Sequence, residues 1–214
     1  MLFHCRAVLF DLDGVLVDSN PIAERHWRLW AERNGLDADE IARTHHGRPT
    51  AETVRRVAPH LDAAHEARLK ETAEADDTDG LRAYAGAAAL LAGLPDGRWA
   101  IATSGTRRTA TFRLAHVGLP EPAALVTADD VERGKPAPDP YLLAARTLGV
   151  DPADCVVVED APAGVEAAHA AGARVVAVAS TNAPDVLAGA DAVVDRLAAL
   201  RVEVGAQGLT VRTG

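Results

Sequence analysis

The chain has 214 residues, 48% of them apolar, which allows one domain or a core with an inserted subdomain. Its 22 Lys and Arg against 31 Asp and Glu give a formal net charge of −9. That balance argues against a general nucleic-acid binder, whose footprint is basic, although a local cation can still serve an anionic substrate. No apolar run reaches the ~18 residues of a membrane span, and no signal-peptide pattern precedes the first apolar run. Cys5 and Cys155 lie in or beside apolar runs and read as reduced core residues, which points to a reducing, cytoplasmic compartment.

The first element is the run Ala7–Phe10, followed by Asp11, Leu12, Asp13 and Gly14. Side chains two apart on extended backbone share a face, so Asp11 and Asp13 can meet where the strand ends and the chain turns. In open parallel sheets that edge is where ligands bind. Two adjacent carboxylates repel unless a cation or proton lies between them. Such a pair can hold a hard metal, and one member can attack phosphorus.

Residues 17–80 contain no strand pattern but several helical ones. Ile22, Trp27, Trp30 and Ala31 share one helical face, and Val54, Val57, Ala58 and Leu61 another. This stretch reads as a helical subdomain inserted after the first strand, with both Trp residues in its core. The acidic run Glu71–Asp79 reads as a solvated helix end and return linker.

Beyond it, strands are expected at Trp99–Thr103, Ala124–Thr127, Cys155–Glu159, Val175–Val178 and Ala192–Val194, with helices at 84–93, 107–117, 139–148, 162–171 and 184–188. This alternation implies a mostly parallel sheet. The stretch from Val204 to Gly214 is expected to fray.

Three of these strand ends, or the loops beside them, carry chemistry. Thr103-Ser104-Gly105-Thr106 places hydroxyls before a helix, whose free N–H groups suit a phosphate; ordinary capping by Ser104 or Thr106 would explain the same residues. Lys135 follows Gly134 and precedes Pro136, Pro138 and Pro140, a stiff loop that presents an ammonium at low entropic cost. Glu159 and Asp160 end another apolar run. All candidate donors are oxygens, which fits Mg²⁺, and no Cys/His cluster has zinc spacing. His45 and His46 lack cysteine partners and read as loop residues rather than metal ligands.

The ordered series of acid pair, hydroxyl, lysine and acid pair resembles the haloacid dehalogenase superfamily over roughly residues 6–195. Within it the chain is similar to small-cap sugar and polyol phosphatases, through Asn20-Pro21, Trp27, His46-Gly47, Arg107, Tyr141 and the run Glu159–Gly164. The resemblance implies a Rossmann-like doubly wound parallel sheet with an inserted α-helical cap. It assigns residues 1–16 and 81–204 to the catalytic core, 17–80 to the cap and 205–214 to a tail. It implies Asp11 as nucleophile, Asp13 as general acid/base, and Thr103 and Lys135 as further catalytic residues. Substrate would meet Thr103, Ser104, Gly105, Lys135, His46 and Arg48. Mg²⁺ would be held by Asp11, the backbone carbonyl of Asp13 and Asp160, with Glu159 acting mostly through water. The implied partner is a small phosphorylated sugar or polyol, met by a monomer, with no nucleic acid and no membrane.

Rival readings remain open from the residues alone. A β-phosphoglucomutase-like phosphohexomutase would carry a cap His nine residues after the motif Gly, where this chain has Ala23, although His26 is close. A non-catalytic binding protein on the same fold would not need the whole series of acids and lysine. Phosphonate chemistry would need a cap Lys, and none is placed for a Schiff base.

Overall fold

A computed structural model describes residues 1–42, 50–206 and 208–214. In chain order come β1 (Leu2–Cys5), β2 (Ala7–Phe10), β3 (Val17–Asp18), α1 (Asn20–Asn34), α2 (Ala38–Ala42), α3 (Thr50–Val57) and α4 (Ala63–Glu74). These are followed by β4 (Arg82–Ala83), α5 (Ala87–Ala92), β5 (Trp99–Ala102), α6 (Arg107–His116), β6 (Leu125–Val126) and α7 (Asp139–Leu148). The chain closes with β7 (Cys155–Glu159), α8 (Pro162–Ala170), β8 (Arg174–Val178), β9 (Ala192–Val194), β10 (Leu200–Gly205) and β11 (Gly208–Thr213).

The main sheet has six strands in the order β6-β5-β2-β7-β8-β9, every neighbouring pair parallel. The fold is thus α/β and doubly wound. The chain enters at the centre, winds outward through β5 and β6, then crosses to β7 and winds the other way. Reversal beside β2 opens the crevice at the carboxyl ends of the central strands. The central strands are buried on both faces, which explains their continuous apolar runs. Val8, Phe10, Val156 and Val158 pack on one side, and Ala7, Leu9, Cys155 and Val157 on the other.

Helices α1–α4 lie between β3 and β4 and have their own small core, with Trp27 and Trp30 edge to face at 5.4 Å among Ala31, Ile41, Val54 and Ala58. Ile22, expected with the Trp residues, packs instead into the main core, because the first turn of α1 still lies against it.

Other expectations are corrected. β3 and β4 form a two-stranded antiparallel ribbon, Val17 opposite Ala83 and Asp18 opposite Arg82, with β3 inside the region read as strandless and β4 just beyond it. Two-residue strands are too short to leave a sequence period. The expected helix 184–188 is a series of turns. The expected 84–93 helix shrinks to Ala87–Ala92, because β4 and its connection use the residues before it.

The tail does not fray. β11 is the middle strand of an antiparallel sheet ordered β1-β11-β10, and Leu209 and Val211 point into the core at 3% and 0% exposure. Alternating apolar residues run along β10 and β11, which pair antiparallel out to Gly205 opposite Gly208. Their partner β1 lies at the opposite end of the chain, beyond the reach of any local pattern. The linker after α4 is likewise ion-paired rather than simply solvated: Asp77 accepts from Arg25 at 2.7 Å, and Asp76 from Arg108.

Candidate active site

The site is built at the carboxyl ends of β2, β5 and β7. The Asp11 N–H donates to the Val158 carbonyl at 3.0 Å, so the acid follows directly on the β2–β7 ladder. The turn beyond Asp13 depends on Gly14, at φ +82°. A Cβ there would stand 2.1 Å from Asp160 Oδ2, so the glycine lets the two acidic loops close on each other. Gly164 does the same for Glu159, whose Oε1 lies 1.8 Å from where a Cβ would be.

Lys135 joins these ends. Its Nζ donates to Asp11 Oδ1 at 2.8 Å and to Glu159 Oε1 at 2.6 Å, with the lysine side chain only 7% exposed. The Tyr141 hydroxyl donates to Glu159 Oε1 at 2.8 Å, and the N–H groups of Asp160 and Ala161 donate to Oε2 at 2.8 and 3.1 Å. Asp160 Oδ2 accepts from the Thr181 hydroxyl, and Asn182 Nδ2 donates to the Asp160 carbonyl at 3.0 Å.

Burial and crowding set the charges. Burial pushes Asp11 up to about 7 against the pull of Lys135, with Glu159 adding to the rise. Asp160 is pushed well above the ordinary carboxylate range by burial, then by the charges of Glu159 and Asp11. Burial also opposes ionisation of Glu159, but Lys135 and the hydrogen bonds to its carboxylate outweigh it and hold it low. Lys135 loses solvation too, yet Asp11 and Glu159 keep it well above its ordinary value. One ammonium therefore faces three acids, an arrangement that a further cation relieves.

Asp11, Glu159 and Asp160 each bring a carboxylate oxygen within 4.8 Å of the others. This all-oxygen, acid-rich donor set fits a hard divalent cation. Glu159 spends both oxygens on Lys135, Tyr141 and backbone N–H groups, whereas Asp11 and Asp160 each spend one.

Thr103 sits at the end of β5, 4% exposed, its Oγ1 accepting the Gly105 N–H at 3.1 Å. Ser104 is exposed. Thr106 rather than Ser104 caps α6, accepting the Thr109 N–H. Asp11, Asp13, Thr103, Ser104, Lys135 and Asp160 line one cleft of about 1060 Å³, whose far wall is Thr50 on α3 and Arg68, Glu71 and Glu74 on α4. His46 and Arg48 lie outside the described residues.

Four contributors were not anticipated as site residues. Arg113 on α6 pairs with Asp13 Oδ1, Tyr141 anchors Glu159, and Thr181 with Asn182 holds Asp160. Tyr141 carried a weak sign, an aromatic one residue after the Lys-Pro loop, whereas Arg113 looks like any helix-surface arginine.

An open α/β sheet with a buried Lys–carboxylate cluster at its strand ends and a helical wall opposite defines an enzyme of the phosphoryl-transfer type. The haloacid dehalogenase-like hydrolase family model matches residues 5–172, and the chain belongs to that family. It is 48% identical over 189 residues to hexitol phosphatase A of Escherichia coli (strain K12), with 85% of each chain covered. It is 37% identical to glycerol-1-phosphate phosphohydrolase 2 of Saccharomyces cerevisiae, covering 92% of this chain and 84% of that one. Among solved structures, β-phosphoglucomutase from Clostridium difficile superposes with a TM-score of 0.76 at 25% identity, over 92% and 93% of the two chains. The protein is a phosphoric monoester hydrolase.

Proposed function

We propose that this hydrolase removes phosphate from small sugar or polyol monophosphates, depends on Mg²⁺, and works through an aspartyl-phosphate on Asp11. The observation that carries the reading is Lys135 bridging Asp11 and Glu159 at the floor of a cleft that helices α3 and α4 wall off. Mg²⁺, held by Asp11, the Asp13 backbone carbonyl and Asp160, would supply charge neutralisation for the phosphate. Lys135 and the Thr103 hydroxyl hold phosphate oxygens and orient the ester. An Asp11 oxygen attacks phosphorus, and the ester P–O bond breaks with its electron pair leaving on the alcohol oxygen. Protonated Asp13 gives its proton to that oxygen. Water then attacks the phosphorus, Asp13 takes the proton released, and the Asp11 carboxylate departs. Positioning and charge neutralisation do most of this work.

The helical wall covers the alcohol half of the substrate, with Ser104 and Gly105 beside the phosphate. His46 and Arg48 are proposed to reach that alcohol half from the cap. The two cysteines are buried and unpaired, which is in keeping with a reducing cytoplasm.

The mutase reading draws on the structural likeness to β-phosphoglucomutase. Against it, Ala23 offers no acid or base, and His26 Nε2 lies 2.8 Å from Asp77 Oδ2 in the return linker. An assay over sugar and polyol monophosphates, with and without Mg²⁺, separates the two. Phosphate release that stops on chelation and is inhibited by Ca²⁺, whose longer bonds loosen the in-line geometry, is expected. Undiminished release after exhaustive chelation would overturn the metal assignment. Interconversion of hexose phosphates without phosphate release would establish the mutase.

A further inference from the structure

The Asp13 carboxylate has a single hydrogen-bonding side chain among the described residues, Arg113, reached across 100 positions of sequence. Arg113 lies near the C-terminal end of α6 and is only 9% exposed, yet it lines the cleft. Nη1 donates to Asp13 Oδ1, while the buried Nε has no partner among the described residues. Above it stands α4, where Lys70 is held by Glu74 over the Trp27 ring. Arg113 is close enough to be among the charges that disfavour the Lys70 ammonium, after burial, which is the largest cause. A surface ion pair would leave both partners solvated and mobile. Here the arginine is desolvated, and the rigid planar guanidinium holds the carboxylate in one orientation.

We propose that Arg113 is a positioning residue for proton transfer by Asp13. The inference rests on the phosphatase reading above. With Oδ1 tied to Nη1, Oδ2 is the oxygen that carries the proton. Its O–H bond breaks as the ester oxygen takes the P–O electron pair and that proton. Oδ2 then receives the proton of the water whose oxygen attacks the phosphorus of phospho-Asp11. Arg113 gives up no proton in either step. It keeps Oδ2 on the side of the cleft where the alcohol leaves and the water enters.

The test is rapid-quench measurement of the first half-reaction with Mg²⁺ present, on glycerol 1-phosphate and on p-nitrophenyl phosphate. Alkoxide needs a proton to leave, whereas nitrophenolate does not. Arg113→Met should slow alcohol release from glycerol 1-phosphate about 100-fold, within the range for one general acid, with KM moving by less than about threefold. The p-nitrophenolate burst should fall by less than about fivefold. Arg113→Lys should recover part of the loss. The double variant Arg113→Met/Asp13→Asn should be no slower on glycerol 1-phosphate than Asp13→Asn alone, because both changes remove one function. Equal losses on the two substrates, or additive losses in the double variant, would overturn the role. If Arg113→Met does not fold, Arg113→Lys and Arg113→Gln carry the same two-substrate comparison. Wild-type protein inert on both substrates would instead overturn the phosphatase reading, and this role with it.

Discussion

The two walls of the cleft are built on opposite principles. On the core side the acids at the strand ends are each tied to a partner, with Lys135 spanning Asp11 and Glu159, Tyr141 behind Glu159, Thr181 on Asp160 and Arg113 on Asp13. On the cap side Arg68, Glu71 and Thr72 are exposed and face the cleft from α4. Side chains locked by neighbours hold the sub-ångström geometry that phosphoryl transfer needs. Side chains with free rotamers can adapt to, or be exchanged for, different alcohols without disturbing that geometry. The core wall is thus suited to chemistry and the cap wall to substrate choice, and closure of the second over the first would exclude water.

The contrast is greatest at Asp11. Asp11→Asn is expected to lower turnover by at least about 10⁴-fold, as removal of a nucleophile does. It should leave the fold intact, because it relieves repulsion among Asp11, Glu159 and Asp160. Steady-state kinetics and a melting curve on the same preparation check both halves; near wild-type turnover would remove Asp11 from the chemistry.

Lys135→Met tests whether the core wall is held by its cation. It leaves Asp11 and Glu159 buried without their ammonium, and loss of one partner from a buried pair costs about 3–5 kcal/mol. The loss, measured by denaturant unfolding in chelator, should shrink as pH falls and a carboxyl takes up a proton. A loss below about 1 kcal/mol would mean that the cluster is not an interlocked unit.

On the cap wall Arg68→Ala should barely alter stability. It should reduce kcat/KM by about 1 kcal/mol for the preferred ester, the scale of one polar contact. A kcat loss as large as that of a core residue would erase the division between the walls.

The smallest effect is expected in the linker after α4. Asp77 binds Arg25 and His26, and its carboxyl is lowered to about 2, chiefly by the Arg25 hydrogen bond. A lowered carboxyl stabilises the fold above its unfolded pKa of about 4 and loses that contribution as pH falls through about 2. Asp77→Asn should therefore cost about 1 kcal/mol at neutral pH and nothing in strong acid, read from unfolding at several pH values.

How much of this was legible follows from the range of each signal. Asp11 and Asp13 after an apolar strand, Lys135 in its proline loop and Glu159–Asp160 after another strand are local patterns. Strand period, turn chemistry and apolar runs write them within ten residues. Together with the alternation of strands and helices they determined the α/β sheet and the helical insertion, and they named the acids and the lysine that the fold gathers at its strand ends. What only the tertiary structure decided involves partners far apart in the chain. Arg113 meets Asp13 across 100 residues, Lys135 meets Asp11 across 124, and β1 pairs with β11 from opposite ends of the molecule. The sequence of α6 does not mark Arg113 from its neighbours, since its burial and its partner arise only when β2 and β5 pair and the helix after β5 packs beside the turn after β2. The tail became a strand for the same reason: Leu209 and Val211 bury their side chains only because β1 is there to receive their backbone hydrogen bonds.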